Sequence, residues 1–229
     1  MHTGEILGIA GVDGNGQREL AECIAGMRKP QKGAVRINDE LITEVTSDQS
    51  LLGYVPEDKN KTGLIDNFTV EENMIIKTFN TPAFTRRGIL QWGAIRKAAN
   101  DLIEEYDIKA WDSTMPVHHL SGGNQQKVVI ARELNGQPAL LLTCQPTRGL
   151  DLGAVESVHK VLLEERNRGA AVIFISTELT EVMAVSDRII VLFKGEIMGE
   201  LEGESANVNL IGELMLGHRE ALKTAGGAA

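Results

Sequence analysis

The stretch LSGGNQQKVVIAREL, from Leu120 to Leu134, joins a glycine turn to a segment in which apolar residues recur at helical spacing. Ser121 stands where a helix cap is expected, because its hydroxyl can accept a hydrogen bond from the first turn. The two glycines that follow leave the backbone N–H groups of that turn open, and such a helix start can hold an anion. A serine and two glycines alone would indicate only an ordinary capped helix, so the rest of the chain decides what the stretch means.

The complete run is more specific than its first three residues. It resembles the L-S-G-G-Q signature of ATP-binding cassette (ABC) ATPases, in the extended form L-S-G-G-N-Q-Q-K of sugar and nucleoside importers. The resemblance implies a P-loop NTPase of the ABC type, with a mostly parallel sheet, antiparallel β hairpins and a helical subdomain. Strands and helices alternate along the chain, and this pattern independently favours an α/β fold.

The composition predicts a soluble, folded protein. Hydrophobic residues make up 42% of the 229 positions, and the net charge is −9. The acidic balance argues against a nucleic-acid-binding protein, which needs a basic face. No apolar run is long enough to span a bilayer and no signal peptide is evident, so we expect a cytoplasmic location. Cys23 and Cys144 lie in apolar runs and are expected to be buried thiols rather than a disulfide.

A glycine-rich loop follows the first apolar segment, and a helical segment follows the loop. This layout is typical of a phosphate-binding loop, in which backbone N–H groups surround phosphate oxygens, although the glycines alone would also suit an unliganded turn. Gln17 occupies the lysine position of the motif, and Arg18 occupies the position of the magnesium-binding Ser/Thr. The charged donor and the metal ligand are therefore missing, whereas the backbone cradle is kept. The candidate nucleotide seat comprises Gly11, Gly14, Asn15, Gly16, Gln17 and Arg18.

The catalytic centre departs from the ABC pattern at further positions. The apolar segment 139–144 is typical of a strand buried in a parallel sheet. The resemblance implies an aspartate and a glutamate at its end, where this chain has Cys144 and Gln145, and a switch histidine where it has Thr177. Removing a general base costs about 10²–10⁴ in rate, and Gln145 cannot accept a proton at neutral pH. With Gln17 included, no catalytic residue is intact, so we expect little or no ATPase activity and assign no metal ligand.

Two further segments resemble ABC motifs and occur in the expected order. The segment Pro56, Glu57 and Asp58 is similar to the Y-V-P-E-D-R sequence near the Q-loop in second cassettes of sugar-type importers. Alone it would indicate only a surface turn. The sequence P-T-R-G-L-D at 146–151 resembles the D-loop region, with Asp151 at the D-loop aspartate position.

The resemblance also divides the chain into parts. Residues 1–69 and 137–218 are expected to form the ATP-binding core, and 70–136 a helical subdomain that ends in the signature helix and meets a membrane subunit. Residues 219–229 are expected to form a flexible tail. Strand signals fade after Val70, and the strongest amphipathic helix is predicted from Ala94 to Tyr106. A hairpin is predicted over 33–42, with an Asn-Asp turn.

The resemblance implies a domain of an ABC importer that energises uptake of a sugar or nucleoside at the cytoplasmic face of the cell membrane. ATP is the expected ligand, held weakly or structurally, and magnesium has no evident site. In ABC proteins each nucleotide lies between one phosphate loop and the opposite signature. The residues that would therefore act on another cassette are Leu120, Ser121, Gly122, Gly123, Asn124, Gln125 and Asp151.

The expected partners are another cassette, namely the N-terminal half of the same subunit, and membrane permease subunits. A periplasmic or lipoprotein substrate-binding protein would act indirectly, and no nucleic acid is expected. Only three residues precede Gly4, which favours a C-terminal cassette taken from a longer subunit. Two alternatives remain open: a pseudo-ATPase that regulates an assembly, and an ABC ATPase without a transport role.

Overall fold

The computed structural model describes residues 1–45, 48, 50–203 and 206–222. Its strands and helices alternate, as the α/β pattern predicts. In chain order they are β1 (Ile6–Ala10), α1 (Gln17–Ile24), β2 (Val35–Ile37), β3 (Glu40–Ile42), β4 (Leu52–Val55), α2 (Val70–Ile75), β5 (Thr85–Arg86), β6 (Ile89–Leu90), α3 (Trp92–Glu105), α4 (Gly122–Leu134), β7 (Leu140–Cys144), α5 (Leu152–Arg168), β8 (Ala171–Ile175), α6 (Leu179–Val185), β9 (Arg188–Phe193), β10 (Glu196–Glu202) and α7 (Val208–Met215).

Six strands form the central sheet, in the order β10-β9-β1-β8-β7-β4. All neighbouring pairs are parallel except β10 with β9, which is an antiparallel hairpin. The mostly parallel sheet that the sequence predicts is therefore confirmed. Because parallel strands end at one edge of a sheet, the loops after β1, β7 and β8 lie together at that edge. The phosphate loop follows β1, Gln145 follows β7, and Thr177 lies just after β8.

The hydrophobic core lies on both faces of this sheet. Side chains alternate along each strand, so Ile6 of β1 packs in one cluster and Ile9 packs in the other. The larger cluster includes the fully buried Phe174 and residues of α2, α4 and α6, whereas the smaller cluster includes α1. Coverage on both faces explains why β1 and β7 are buried along their whole length.

The two predicted local elements are confirmed with small shifts. The hairpin β2–β3 turns at Asn38 and Asp39, whose φ angles of 48° and 65° suit a two-residue turn. The amphipathic helix α3 begins at Trp92, two residues before the predicted start, and ends at Glu105. Its apolar stripe of Ile95, Ala99 and Leu102 is buried, as expected for a core face.

Some elements were not predicted from the sequence. The short hairpin β5–β6 lies within the segment expected to be helical, and α7 packs against β9 through the buried side chains of Ile211 and Leu214. After α7, the Arg219 guanidinium donates to the Met198 carbonyl oxygen over 3.3 Å, so the start of the predicted tail lies against β10. Residues 223–229 of that tail lie outside the described residues. Among the helices described, none has the length and apolar character needed to cross a membrane.

Candidate nucleotide site

The phosphate loop connects β1 to α1 and ends at a helix start without a side-chain cap. Gly14 and Gly16 have φ angles of 84° and 105°, which glycine adopts without strain. Gly16 is the cap residue and has no side chain to bond the first turn. In the part of the chain that the structure describes, the backbone N–H groups of residues 16–18 form no hydrogen bond. These N–H groups are therefore available to an anion such as phosphate.

Asn15 holds this loop in a fixed position. Its Nδ2 donates to the Val12 carbonyl oxygen over 2.9 Å, and its Oδ1 accepts from the Lys194 backbone N–H over 2.8 Å. The Asn15 carbonyl oxygen also accepts from the Gly195 N–H over 2.9 Å. A Cβ on Gly16 would lie 3.2 Å from the Gly195 Cα, so the loop packs closely against the β9–β10 turn. The cradle is thus formed before any ligand binds.

The two side chains that follow the loop have different environments. Gln17 folds back and is 9% exposed, and its Nε2 donates to the Val12 carbonyl oxygen over 3.1 Å. The side chain at the family's lysine position therefore lies inside the loop and carries no charge. Arg18 has a side chain that is 79% exposed, and its Nε lies 2.8 Å from Glu22 Oε1.

The structure brings the other predicted positions together at the sheet edge. Gln145 Oε1 accepts hydrogen bonds from the Thr177 N–H over 3.2 Å and from its hydroxyl over 3.4 Å. Cys144 is buried beside the hydroxyl of Tyr54, and burial raises the pKa of the Cys144 thiol to about 12. The thiol is therefore neutral at physiological pH. None of these three side chains can serve as a general base at neutral pH.

The same residues do not fit a magnesium ion. Mg²⁺ is held by oxygen ligands, usually carboxylates and water, in octahedral geometry. Arg18 brings a positive charge to one ligand position, and Cys144 brings a neutral sulfur to the other. Across residues 1–45, 48, 50–203 and 206–222, no group of three His, Cys, Asp or Glu side chains could hold a metal ion.

The signature forms a well-defined helix start. The Ser121 hydroxyl accepts from the Asn124 N–H over 3.4 Å and from its Nδ2 over 2.9 Å. Asn124 Oδ1 in turn accepts from the Lys109 N–H over 2.8 Å. Leu120 is buried, whereas Ser121 and Gly122 are exposed. The first turn is therefore anchored on its inner side and open to solvent on its outer side.

The signature lies beside the first turn of α5. A Cβ on Gly123 would lie 3.2 Å from the Ala154 Cβ. Asp151 caps α5, because its Oδ1 accepts from the Ala154 N–H over 3.0 Å, and Leu152 is 74% exposed. Ser121, Gly122, Asp151 and Leu152 are named here the signature surface. Within the described part of the chain, no hydrogen bond or ion pair joins residues 120–125 to the phosphate loop.

An ion pair joins the predicted Q-loop region (56–58) to the predicted D-loop segment (146–151). Pro56 is buried, and the Glu57 carboxylate pairs with the Arg148 guanidinium. Asp58 caps a π-helix over Lys59–Gly63 and accepts from the Lys61 N–H over 3.1 Å. No sequence pattern predicted this π-helix.

A buried carboxylate on the signature helix was not predicted from the sequence. Glu133 is 1% exposed and accepts from the Tyr54 N–H over 3.0 Å and from Arg132 Nε over 2.9 Å. Its carboxylate also pairs with the Lys77 ammonium. The available signal was an acidic residue inside an apolar helical run, where a charge needs partners.

Comparison with known proteins assigns the family. The model described as ABC transporter matches residues 1–148. The chain belongs to the ABC transporter family. It is 43% identical to the guanosine import ATP-binding protein NupO of Bacillus subtilis, over 99% of this chain and 45% of that protein. It is 42% identical to the nucleoside import ATP-binding protein NupA of Lactococcus lactis, over 95% and 44%.

A third relative is named for the import of a different substrate. The glucose import ATP-binding protein TsgD13 of Haloferax volcanii is 39% identical over 99% of this chain and 42% of that protein. The chain thus spans less than half the length of these relatives. The solved structure of the ATP-binding cassette MJ0796, a dimer bound to ADP and Pi, matches with a TM-score of 0.73 and 27% identity, over 87% of this chain and 86% of that one. The ABC cassette fold is therefore confirmed.

Proposed function

We propose that this chain is one cassette of the ATP-binding subunit of an ABC importer for a nucleoside or sugar. Its signature would complete the nucleotide site of a facing cassette, while its own site would not hydrolyse ATP. NupO and NupA, which are named for guanosine and nucleoside import, are 43% and 42% identical to the chain. TsgD13, which is named for glucose import, is 39% identical. These values favour a nucleoside over a sugar.

One observation carries the proposal. The signature is whole and capped, and it is exposed at Ser121 and Gly122, whereas Gln17, Cys144, Gln145 and Thr177 replace the groups that phosphoryl transfer needs. Phosphoryl transfer depends chiefly on positioning and electrostatic stabilisation by lysine, metal and a water-orienting group. A site without these groups can hold nucleotide through its backbone but has little means to hydrolyse it. The intact signature is useful only if it faces a nucleotide held elsewhere.

A facing cassette is the proposed holder of that nucleotide. The signature surface exposes Leu152, and the phosphate loop exposes half of Val12, so apolar side chains stand at both sites. The matched MJ0796 cassette is dimeric. We place the facing cassette in the N-terminal half of the same subunit, because the relatives are more than twice as long as the matched segment.

The helical subdomain is the proposed contact with membrane permease subunits. It exposes three large apolar side chains around the β5–β6 hairpin: Phe79 at 50%, Ile89 at 67% and Trp92 at 43%. We assign these three exposed side chains to the contact with a protein partner. The assembly would lie at the cytoplasmic face of the membrane, with a substrate-binding protein acting through the permease.

The proposal is tested first by ATP hydrolysis of this chain alone. We expect phosphate release at the background rate with ATP and magnesium, because no base, lysine or metal ligand is in place. The intact subunit in the same buffer is the positive control, since it contains the facing cassette. Sustained magnesium-dependent turnover by the purified chain would show that Gln17 and Gln145 do not disable the site.

A further inference from the structure

We propose that the phosphate loop of this chain binds a nucleoside triphosphate without magnesium, with the Arg18 guanidinium as the counter-charge of the phosphates. The inference rests on the proposed function in one respect, namely that this loop holds a nucleotide. It goes further by naming the ligand as the metal-free triphosphate. It also gives Arg18, which occupies the position of the magnesium-binding Ser/Thr, a role in binding the phosphates.

The residues around the phosphate loop do not offer the oxygen ligands that a magnesium ion needs. The two positions that hold magnesium in the family carry a guanidinium and a buried thiol, and neither is an oxygen ligand. Cys144 lies against the Tyr54 hydroxyl and ends β7 without a carboxylate. The phosphates of a bound nucleotide would therefore need another source of positive charge.

Arg18 lies at the start of α1 and borders a cavity. It follows Gln17 in the first turn of α1, and together with Tyr54 and Cys144 it lines a cavity of about 330 Å³. The guanidinium thus borders the same space as the thiol that replaces the metal-binding aspartate. A guanidinium can donate two parallel hydrogen bonds to a phosphate and stays charged at all physiological pH values.

Arg18 can leave its present partner with little loss. Its Nε lies 2.8 Å from Glu22 Oε1 in an i,i+4 pair whose guanidinium is 79% exposed, and i,i+4 pairs on a helix contribute only a little to stability. Glu22 keeps a second cation when Arg18 moves, because Arg28 Nη2 lies 2.6 Å from its Oε2. Rotation of Arg18 toward the loop therefore leaves no unpaired carboxylate.

The other acidic groups that face the cavity are also paired. Glu57 pairs with Arg148, and Asp58 lies 3.3 Å from the Lys61 ammonium. These pairs limit the repulsion that a triphosphate would meet. They also keep the carboxylates occupied, so the cavity walls do not offer a free oxygen ligand set for a metal.

The test is calorimetric titration of the chain with ATP, in EDTA and in excess magnesium chloride. We expect free ATP to bind at least as tightly as its magnesium complex. Arg18→Ala is expected to weaken binding in EDTA by about tenfold or more, since it removes charged hydrogen bonds. Arg36→Ala is the matched control, because Arg36 is an exposed arginine on β2 that does not line this cavity, and its loss is expected to leave the affinity unchanged.

The outcomes separate this inference from the proposed function. Binding that requires magnesium would overturn the metal-free seat but leave nucleotide binding in place. Unchanged affinity in Arg18→Ala, with a wild-type circular dichroism spectrum, would overturn the role of Arg18. No binding in either buffer would overturn the whole inference. The proposed role of the signature would still be tested separately, by measuring ATP hydrolysis of the intact subunit.

Discussion

Replacing Ser121 with arginine in the intact subunit, assembled with the proposed permease, is expected to lower ATP hydrolysis and substrate uptake by about 100-fold or more. The Ser121 hydroxyl and the N–H groups behind it are exposed at the start of α4. A positioned donor that meets developing phosphate charge contributes strongly to rate. An arginine side chain would also occupy the space that the nucleotide of the facing cassette needs.

The matched control for this substitution is Asn207→Ala. Asn207 is an exposed residue that caps α7, since its Oδ1 accepts from the Leu210 N–H over 2.8 Å. It lies outside the signature surface, so its loss should lower stability slightly and leave hydrolysis unchanged. Normal hydrolysis and uptake in Ser121→Arg would refute a role of the signature and favour a regulatory pseudo-ATPase.

Replacing Glu133 with alanine is expected to lower the free energy of unfolding by about 3–5 kcal/mol. The carboxylate is almost fully buried, and its loss leaves the Arg132 guanidinium and the Lys77 ammonium without their shared partner at this point. The Tyr54 N–H, which is 3.0 Å from Glu133 Oε2, also loses its acceptor. Loss of this shared acceptor inside the fold accounts for most of the cost.

The measurement is urea unfolding of the chain followed by circular dichroism. Glu156→Ala is the control, because Glu156 is an exposed glutamate on α5 and its removal should change stability by about 0.5 kcal/mol or less. Equal effects of the two substitutions would show that the buried ion pairs do not stabilise the fold. Since Glu133 joins α4 to β4, we also expect the variant to position the signature less well.

Much of the fold could be predicted because the chain is patterned locally. The continuous apolar run 139–144 can be satisfied only by a strand covered on both faces, and it forms β7. The pair Asn38-Asp39 tolerates positive φ and so marks the β2–β3 turn. The cap Ser121 and the apolar spacing after it likewise define α4 without reference to distant residues.

The remaining features depend on register and on distant partners. Gln145 meets Thr177 because Cys144 lies opposite Ile175 in the sheet, and nothing near either residue encodes that register. The β5–β6 hairpin has only two residues in each strand, so it carries too little alternation to be recognised. The sequence could therefore name the positions that differ from the ABC pattern but could not show that two of them bond to each other.

The central claim is a division of labour between an intact signature and a site that does not hydrolyse ATP. Its most direct test is ATP hydrolysis by two variants of the intact subunit measured side by side, Ser121→Arg and Gln145→Asn. The account predicts that Ser121→Arg abolishes hydrolysis and that Gln145→Asn retains it. Loss of hydrolysis in Gln145→Asn together with its retention in Ser121→Arg would contradict the account.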